Sequence, residues 1–331
     1  MFKEIYRLIL WLTLAIVLGA AVLFWYLFGV HIQSREVPDR LAFWMEHSWS
    51  TGLSSGQNGD YATLAQQAST YGITDLFFHV GPIEEDGSLA DDLAIFTPGL
   101  EAIGTTNYAW VGQVRSQIDL SSQTVRQKII ESSEWLIDQG FDGIHLNIEP
   151  VRPDDNDFML LLQELDDAFA TATADAAGTP KISITIDEWQ PHFLSQILAW
   201  YMDESIESYW TKNQIKEAAL YADQIVVMTY DTNFNEPHLY TWWVEQQTIA
   251  LSRFIDAAAP DSTELFIGIP SYDEGASINP IAENLQSGLA GFLIGVQNLR
   301  SKLGNISGVA IYPYWEMDTA EWAALQSFQQ N

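Results

Sequence analysis

The sequence predicts an α/β protein, a (β/α)8 TIM barrel preceded by an N-terminal transmembrane helix. Eight short apolar runs alternate with helical patterns along the body of the 331-residue chain. About 295 residues follow the N-terminal segment, which suits one large α/β domain. The fourth apolar run carries polar side chains on one face, whereas a buried parallel strand is usually apolar on both. An open, doubly wound sheet is the rival arrangement, and it would leave edge strands.

In the first half of the body, helices are predicted at 61–71 and 122–139. Gly72 and Gly140 are stop signals, and Ser121 or Ser122 can cap the second helix. Residues 81–107 contain Pro and Gly, and they predict a loop with a short helix. The strands predicted here are 41–45, 73–80, 108–114 and 141–150.

The second half continues the alternation, and 319–329 is predicted as a closing helix. The strands predicted here are 181–186, 224–230, 265–269 and 308–311. The helices predicted between them are 155–174, 193–202, 211–222, 240–259 and 281–299.

Residues 1–36 are predicted to form a cytoplasmic stub, a transmembrane anchor and a short linker. The uncharged apolar run 8–30 has about 23 residues, which at ~1.5 Å per residue spans a ~30 Å hydrocarbon core. Lys3 and Arg7 precede the run and predict a cytoplasmic N-terminus.

An uncleaved signal-anchor is favoured over a cleaved signal peptide. The apolar run exceeds the ~7–15 residues typical of signal peptides, and no small-x-small cleavage site follows Val30. The predicted location is therefore the cell membrane, single-pass, with the domain 37–331 extracytoplasmic. Secretion after cleavage is the alternative.

Charge and composition exclude several classes of function. The formal net charge is −30, which disfavours nucleic acid as a partner because phosphate binding needs a basic surface. The chain has no Cys, and its six His residues show no metal-binding spacing. There is no Gly-x-Ser-x-Gly motif and no phosphate-cradling glycine loop. We expect neither a metal nor a cofactor.

The run 141–150 reads Phe-Asp-Gly-Ile-His-Leu-Asn-Ile-Glu-Pro. Alternation along a strand sends Ile144, Leu146 and Ile148 into an apolar layer. The opposite, inner face then carries three polar side chains, which are costly to bury unless they pair or act: His145, Asn147 and Glu149. The last of them stands at the C-terminal end of the strand, where barrel enzymes place catalytic groups.

Two further runs place functional side chains at strand ends. In 226–231, Val-Val-Met-Thr-Tyr-Asp, the period of two puts Met228 and Tyr230 on the inner face and Asp231 at the rim. The run 308–316, Gly-Val-Ala-Ile-Tyr-Pro-Tyr-Trp-Glu, carries an aromatic side chain and a carboxylate beyond the eighth strand.

Together these runs resemble glycoside hydrolase family 18, the chitinase-like enzymes, over roughly residues 40–318. The family's Asp-x-x-Asp-x-Asp-x-Glu pattern becomes Asp142, His145, Asn147 and Glu149, so that two aspartates are replaced. Its Met-x-Tyr-Asp motif matches 228–231. The run 266–270, Phe-Ile-Gly-Ile-Pro, is similar to its seventh strand.

The resemblance implies hydrolysis of a β-linked N-acetylglucosamine-containing polysaccharide, chitin- or peptidoglycan-like, by a substrate-assisted retaining mechanism. Glu149 would protonate the leaving oxygen, and the substrate's own N-acetyl carbonyl would attack the anomeric carbon. Asn147 replaces the Asp that orients the acetamide N–H; its carbonyl can accept that bond but supplies no charge. Tyr230 would donate to the acetamide oxygen, and Asp231 would bond the sugar or the surroundings of Tyr230.

Other residues at strand ends are predicted to bind substrate. The resemblance makes Trp315 the floor under one sugar ring. The remaining candidates on the inner face or just beyond the strands are His145, Glu46, His79, Asp187 and Glu316.

Two alternatives stay open. The first is a catalytically impaired carbohydrate-binding barrel, because the aspartates at 145 and 147 are missing. A cationic His145 would also lower the pKa of Glu149, which is wrong for an acid. The second is a two-carboxylate glycosidase, with a nucleophile ~5–5.5 Å from Glu149 for retention or ~6.5–9.5 Å for inversion. The candidate nucleophiles are Asp231, Asp187 and Glu316.

Overall fold

A computed structural model gives the structure of the chain. It describes residues 37–51, 58–95, 97–153, 155–172, 178–190, 210–259, 262–272, 279–299 and 305–329, with residues 11, 13, 15, 18 and 19. The chain divides into two compact units, Met1–Arg35 and Glu36–Asn331.

In the first unit, the few described residues are helical. None of the helices in the described ranges has the length and apolar character needed to cross a membrane. Most of the predicted anchor 8–30 lies outside those ranges, and the anchor therefore stays a prediction.

The second unit is a closed barrel of parallel strands in chain order, with the eighth strand paired to the first. The (β/α)8 prediction is therefore confirmed, and the open sheet is wrong. The strands are β1 (Arg40–Met45), β2 (Ile73–His79), β3 (Thr106–Val114), β4 (Gly143–Glu149), β5 (Lys181–Ile186), β6 (Gln224–Met228), β7 (Glu264–Pro270) and β8 (Ile306–Tyr312).

Helices alternate with these strands in the described part of the chain. They are α1 (Asn58–Tyr71), α2 (Thr97–Ile103), α3 (Gln123–Asp138), α4 (Asn156–Ala172), α5 (Lys212–Ala218), α6 (Pro237–Asp256), α7 (Leu285–Asn298) and α8 (Thr319–Phe328). The helix predicted at 193–202 lies outside the described residues.

Local chemistry explains where several helices begin and end. Gly72 and Gly140 have positive φ angles (63° and 101°), which confirms their role as stop signals after α1 and α3. Ser122 occupies the N-cap of α3, but its side chain makes no capping hydrogen bond. The helix predicted from 281 begins later, at Leu285, because the Asn284 side chain accepts the bond that caps it.

The two faces of β4 have the predicted contrast. Ile144, Leu146 and Ile148 are buried in the apolar layer around the barrel. His145 lies instead in the barrel interior, where its ring stacks on Phe77 with centroids 3.9 Å apart. The inner face of β4 is thus the polar face, which the side-chain alternation requires.

The floor of the interior is an ionic cluster. Arg40 donates to both carboxylate oxygens of Asp75 at 2.9 Å, and it also pairs with Glu264. Asp75 is fully buried, and a buried carboxylate without a partner would be very costly. Gln224 also approaches Asp75, at 3.4 Å from Nε2 to Oδ1. This cluster anchors β1, β2, β6 and β7 to one another.

Above the floor, hydrogen bonds form a directed chain. Trp44 Nε1 donates to His145 Nε2 at 3.0 Å, and His145 Nδ1 lies 2.7 Å from Ser183 Oγ. Ser183 donates to Gln224 Oε1 at 2.6 Å, and Gln224 in turn approaches Asp75. We call this chain, from Trp44 to the Asp75 carboxylate, the polar column.

The polar column fixes the protonation of His145. An indole N–H can only donate, so Nε2 must accept, and the ring proton must sit on Nδ1 and point to Ser183. The side chain is 0% exposed, and burial lowers its pKa well below the ordinary value. His145 is therefore neutral, and the predicted effect of a cationic His145 on Glu149 does not arise.

Ser183→Ala tests the polar column. It leaves the His145 Nδ1–H and the Gln224 amide oxygen without this partner inside the barrel, which should lower the free energy of unfolding by roughly 2–5 kcal/mol. Denaturant unfolding measures this loss.

The matched control is Ser133→Ala in α3. Ser133 is equally buried, but its hydroxyl donates to the Ile129 carbonyl, which already accepts a backbone hydrogen bond within the helix. Removing this hydroxyl therefore leaves no buried group without a partner. This control should lose about 1 kcal/mol or less. Equal losses in the two variants would contradict the polar column.

Candidate active site

The C-terminal ends of the strands form the mouth of the barrel. On β4, Asn147 and Glu149 continue the inner face above His145, and β5 brings Thr185 beside them. Asp187 follows β5 by one residue. Each predicted candidate except His145 thus lies near or beyond the end of a strand, as the barrel geometry requires.

Asn147 is oriented by a neighbour on β5. The Thr185 hydroxyl donates to Asn147 Oδ1 at 2.6 Å. With its oxygen turned to Thr185, the amide presents its N–H groups to Glu149, with which it forms a side-chain hydrogen bond. Asn147 therefore links the barrel interior to the terminal carboxylate of β4.

The surroundings of Glu149 raise the pKa of its carboxyl. Burial is the largest effect and raises its pKa; the bond from Asn147 opposes that shift, and the charge of Asp231 adds to it. A raised pKa keeps a larger share of Glu149 protonated near neutral pH. This carboxyl therefore has the property that a general acid needs.

Asp187 is a second carboxyl at the same place. Burial raises its pKa to about 7, and the charge of Glu149 is the further cause. Its Oδ2 atom is buried and has no hydrogen-bond partner among the described residues. Two carboxyls of like charge thus lie close to each other at the ends of β4 and β5.

Three tyrosines form an aromatic wall next to these carboxyls. Tyr230 stacks on Tyr312 with centroids 5.9 Å apart, and it meets Tyr272 edge-on at the same separation. Burial raises the pKa of Tyr230 well above the ordinary value, and the charges of Tyr272 and Glu149 add to this. Tyr230 therefore stays a hydroxyl donor.

Asp231 is held at the rim by two neighbours. Its backbone is left-handed, with φ 62°, and its Oδ1 accepts a bond from the Tyr272 hydroxyl at 2.9 Å. The fully buried Glu283 accepts bonds from the Thr232 hydroxyl and from the Phe234 N–H, at 2.7 and 3.2 Å. These contacts fix the loop that follows β6 and present Asp231 to solvent.

Trp315 lies in a 3-10 turn, Tyr314–Glu316, just beyond β8. Its side chain is 43% exposed, and its ring meets Tyr312 edge-on with centroids 5.8 Å apart. Glu316 is also exposed, and its charge helps burial to raise the pKa of Tyr312. An exposed indole at the mouth offers an apolar face to a sugar ring.

The remaining candidates lie on the β1–β2 side of the mouth. His79 Nδ1 is 3.1 Å from His47 Nδ1, and its ring meets Trp110 at 4.4 Å. Burial lowers the pKa of His79 to about 4, with the charge of His47 as the second cause, so that His79 is neutral near pH 7. Glu46 is exposed and accepts a bond from Ser48 at 2.6 Å.

His145 is the candidate that the structure removes from the substrate-binding set. It is fully buried, both of its ring nitrogens have partners in the polar column, and it has no surface that a sugar could touch. Asp142 lies at the opposite end of β4, where it accepts a bond from the Asn107 N–H at 2.8 Å.

Three residues of the site were not predicted: Thr185, Tyr272 and Tyr312. A signal for each exists in the sequence. The period of two carries the inner face of β5 from Ser183 to Thr185, and that of β8 from Ala310 to Tyr312. Tyr272 follows β7 by two residues.

A cavity of about 350 Å³ lies next to the segments that follow β3 and β4. Its lining comes from segments that follow β3 and β4: Arg115, Ser116, Pro150, Arg152 and Asp155. Arg115 is held by Asp155 through bonds of 2.6 and 3.0 Å. In the ranges that the structure describes, no group of three or more His, Cys, Asp or Glu side chains could hold a metal ion.

The comparisons with known proteins agree with this geometry. The sequence model of the family described as Glycosyl hydrolases family 18 matches residues 109–326, about two thirds of the chain. The chain belongs to this family, as the resemblance predicted. No curated protein matches the chain in sequence.

Solved structures share the fold at low identity. The spore cortex-lytic enzyme SleL of Bacillus cereus is 11% identical, with a TM-score of 0.58 over 89% of this chain and 75% of that one. A family 18 N-acetylglucosaminidase of Paenibacillus barengoltzii is 15% identical, with a TM-score of 0.54 over 88% and 98%. The chitinase-like agglutinin of Robinia pseudoacacia is 13% identical, with a TM-score of 0.53 over the same shares.

Proposed function

We propose that the protein hydrolyses a β-linked N-acetylglucosamine-containing polysaccharide, chitin- or peptidoglycan-like, by a substrate-assisted retaining mechanism. The observation that carries the proposal is the state of Glu149: a half-buried carboxyl with a raised pKa at the end of β4. Such a carboxyl suits the acid that protonates a glycosidic oxygen. Family membership supports the same reaction class.

In this mechanism the protein supplies the acid and the substrate supplies the nucleophile. Glu149 gives its proton to the leaving oxygen as the C–O bond breaks, and the N-acetyl carbonyl oxygen bonds to the anomeric carbon. Water then opens the cyclic oxazolinium ion and returns a proton to Glu149. Tyr230 can donate its hydroxyl to the acetamide oxygen, because its raised pKa keeps the proton in place.

Asn147 limits what the chain can offer the cationic intermediate. Its Oδ1 already accepts from Thr185, and a carbonyl oxygen has one further lone pair for the acetamide N–H. An amide carries no charge, however, so stabilisation of the cation must come from nearby carboxylates. Asp231 and Asp187 are the carboxylates coupled to Glu149.

A non-catalytic sugar-binding barrel is the second candidate. The replacement of two aspartates by Asn147 and His145 favours it, and the agglutinin from Robinia pseudoacacia has the same fold. It requires saturable oligosaccharide binding without products. Both candidates use the aromatic surface of Trp315, and they differ only in turnover.

A two-carboxylate glycosidase is the third candidate, because Asp187 lies beside Glu149. Its nucleophile would belong to the protein, so it would not need the acetamido group of the substrate.

We also propose that residues 8–30 anchor the chain in the cell membrane, with the barrel outside the cytoplasm. The length and apolar composition of this run support the proposal. Recovery of the full chain in the membrane fraction after a high-salt wash is the expected result, and recovery in the supernatant would contradict it.

Glu149→Gln tests the catalytic role. The amide cannot give up a proton to the leaving oxygen, so turnover of N-acetylglucosamine oligosaccharides should fall by about 10²–10⁴-fold while binding persists. Product release measured by chromatography gives the rate. Substrates with a 2-hydroxyl in place of the acetamido group should not be cleaved, and their cleavage would favour the two-carboxylate candidate.

The matched control is Glu245→Gln. Glu245 is also a buried carboxyl whose pKa burial raises, but it lies on α6 and accepts a bond from Asn298. This control should keep wild-type turnover. Turnover that survives in Glu149→Gln would remove the proposed acid, and absence of turnover in the wild type would leave the sugar-binding candidate.

Trp315→Ala tests the aromatic floor. Loss of the indole should weaken oligosaccharide binding by about tenfold, the equivalent of ~1.4 kcal/mol. Titration calorimetry on the Glu149→Gln background measures the affinity without turnover. Trp135→Ala is the control, since Trp135 is 42% exposed on the outer helix α3, nearly the same as Trp315 at 43%. Equal losses in both variants would contradict a specific role for Trp315.

A further inference from the structure

Asp187 and Glu149 lie opposite each other across neighbouring strands. The bond from Thr185 to Asn147 shows that these two residues face each other across β4 and β5, on the inner face. Two residues further along each strand, the alternation returns to the same face and reaches Glu149 on β4 and Asp187 beyond β5. Neighbouring strands are ~4.8 Å apart, so the two carboxyls share one space at the mouth.

The next residue supports this direction for Asp187. The side chain of Glu188 points away from the barrel interior, because its Oε1 accepts a bond from Trp243 Nε1 of α6 at 3.2 Å. Trp189 is fixed in turn by mutual bonds with Gln247 of α6, at 2.9 and 3.0 Å. With Glu188 directed to the helix layer, Asp187 is left on the barrel side, where its Oδ2 is buried without a partner in the described ranges.

Within the described part of the chain, the charges that shift the pKa values of this pair are all negative. Asp231 acts on Glu149 from the loop after β6, and Glu149 acts on Asp187. Glu188, in the loop after β5, is coupled to Asp187, and the charge of Glu149 acts on Tyr230 beyond β6. His145, below the site, is neutral. Two half-buried carboxyls that repel each other in this way ionise in two separate steps, and between those steps the pair holds one proton.

The hydrogen bonds decide which carboxyl keeps that proton in the free protein. Glu149 accepts a bond from Asn147, which favours its ionised form. Asp187 Oδ2 receives no such bond within the described residues, and a buried oxygen without a donor favours the protonated form. The proton therefore resides mainly on Asp187 until a substrate changes the surroundings of Glu149.

We infer that Asp187 is a positioning residue that acts through Glu149: the two carboxyls share one proton, and Asp187 stores it in the site. Its use in catalysis rests on the proposed hydrolase function, whereas the shared proton does not. In the reaction, the proton passes from Asp187 to the Glu149 carboxylate and then to the leaving oxygen. The water that opens the oxazolinium ion adds its hydroxyl to the anomeric carbon and returns a proton to the pair.

Asp187→Asn removes one carboxyl of the pair and leaves Glu149 as the other. The experiment uses the full chain labelled with ¹³C at the Glu carboxyls, and the Glu149 signal is assigned by its loss in Glu149→Gln. This signal should titrate in two steps, the upper one at about pH 7. In Asp187→Asn the signal should titrate in one step, with its midpoint at least about one pH unit below that upper step, because the like charge is gone. Asp187→Glu keeps a carboxyl and should retain two steps.

Glu188→Gln is the matched control. Burial and the charge of Asp187 raise the pKa of Glu188 to about 8, so this residue is largely neutral while the pair titrates. Exchanging a neutral acid for a neutral amide changes no charge below pH 7, and the Glu149 titration should stay two-step there. A one-step titration in this control would assign the coupling to Glu188 and overturn the inference.

Activity gives a second, independent readout. The alkaline limb of kcat/KM should shift to lower pH in Asp187→Asn, by the same amount as the Glu149 titration. An unchanged Glu149 titration in this variant would overturn the inference, whether or not turnover falls. If the titration changes as expected but no oligosaccharide is cleaved by the wild type, the proton pair stands and the hydrolase proposal fails.

Discussion

The polar column inside the barrel is the constraint on which the site depends. It joins Trp44 on β1 through His145 on β4 to the carboxylate of Asp75 on β2, and every donor along it points to that carboxylate. A buried column of this kind has to be complete, because each missing partner leaves a desolvated polar group. Arg40 completes it below by neutralising Asp75.

The column determines the electrostatics of the mouth. Because His145 must accept from Trp44, it stays neutral and adds no positive charge beneath Glu149. Among the described residues, the charges that act on Glu149 and Asp187 are those of carboxylates, and burial raises the pKa of both. Replacing an aspartate by histidine at position 145 thus preserves the conditions for an acid, although it removes a titrating group from the strand.

The sequence predicted much of the fold and part of the site. Eight strands in chain order followed from period and apolar content, and closure followed from eight strand–helix units over this length, because an open sheet would leave edge strands. The position of Glu149 at a strand end followed from alternation alone. The state of His145 could not be predicted, because it depends on Trp44 and Ser183, which are distant in sequence and adjacent only in the closed barrel. The coupling of Asp187 to Glu149 required the register between β4 and β5 for the same reason.

The electrostatics of the mouth depend on a neutral His145 with its proton on Nδ1, and ¹⁵N NMR of the full chain with labelled histidine measures this directly. Between about pH 5 and 8, where an unperturbed histidine titrates, the His145 signals should show one protonated nitrogen, Nδ1, and one bare nitrogen, Nε2, without change. Two protonated nitrogens anywhere in this range, or the proton on Nε2, would contradict the polar column and the electrostatics of Glu149 derived from it.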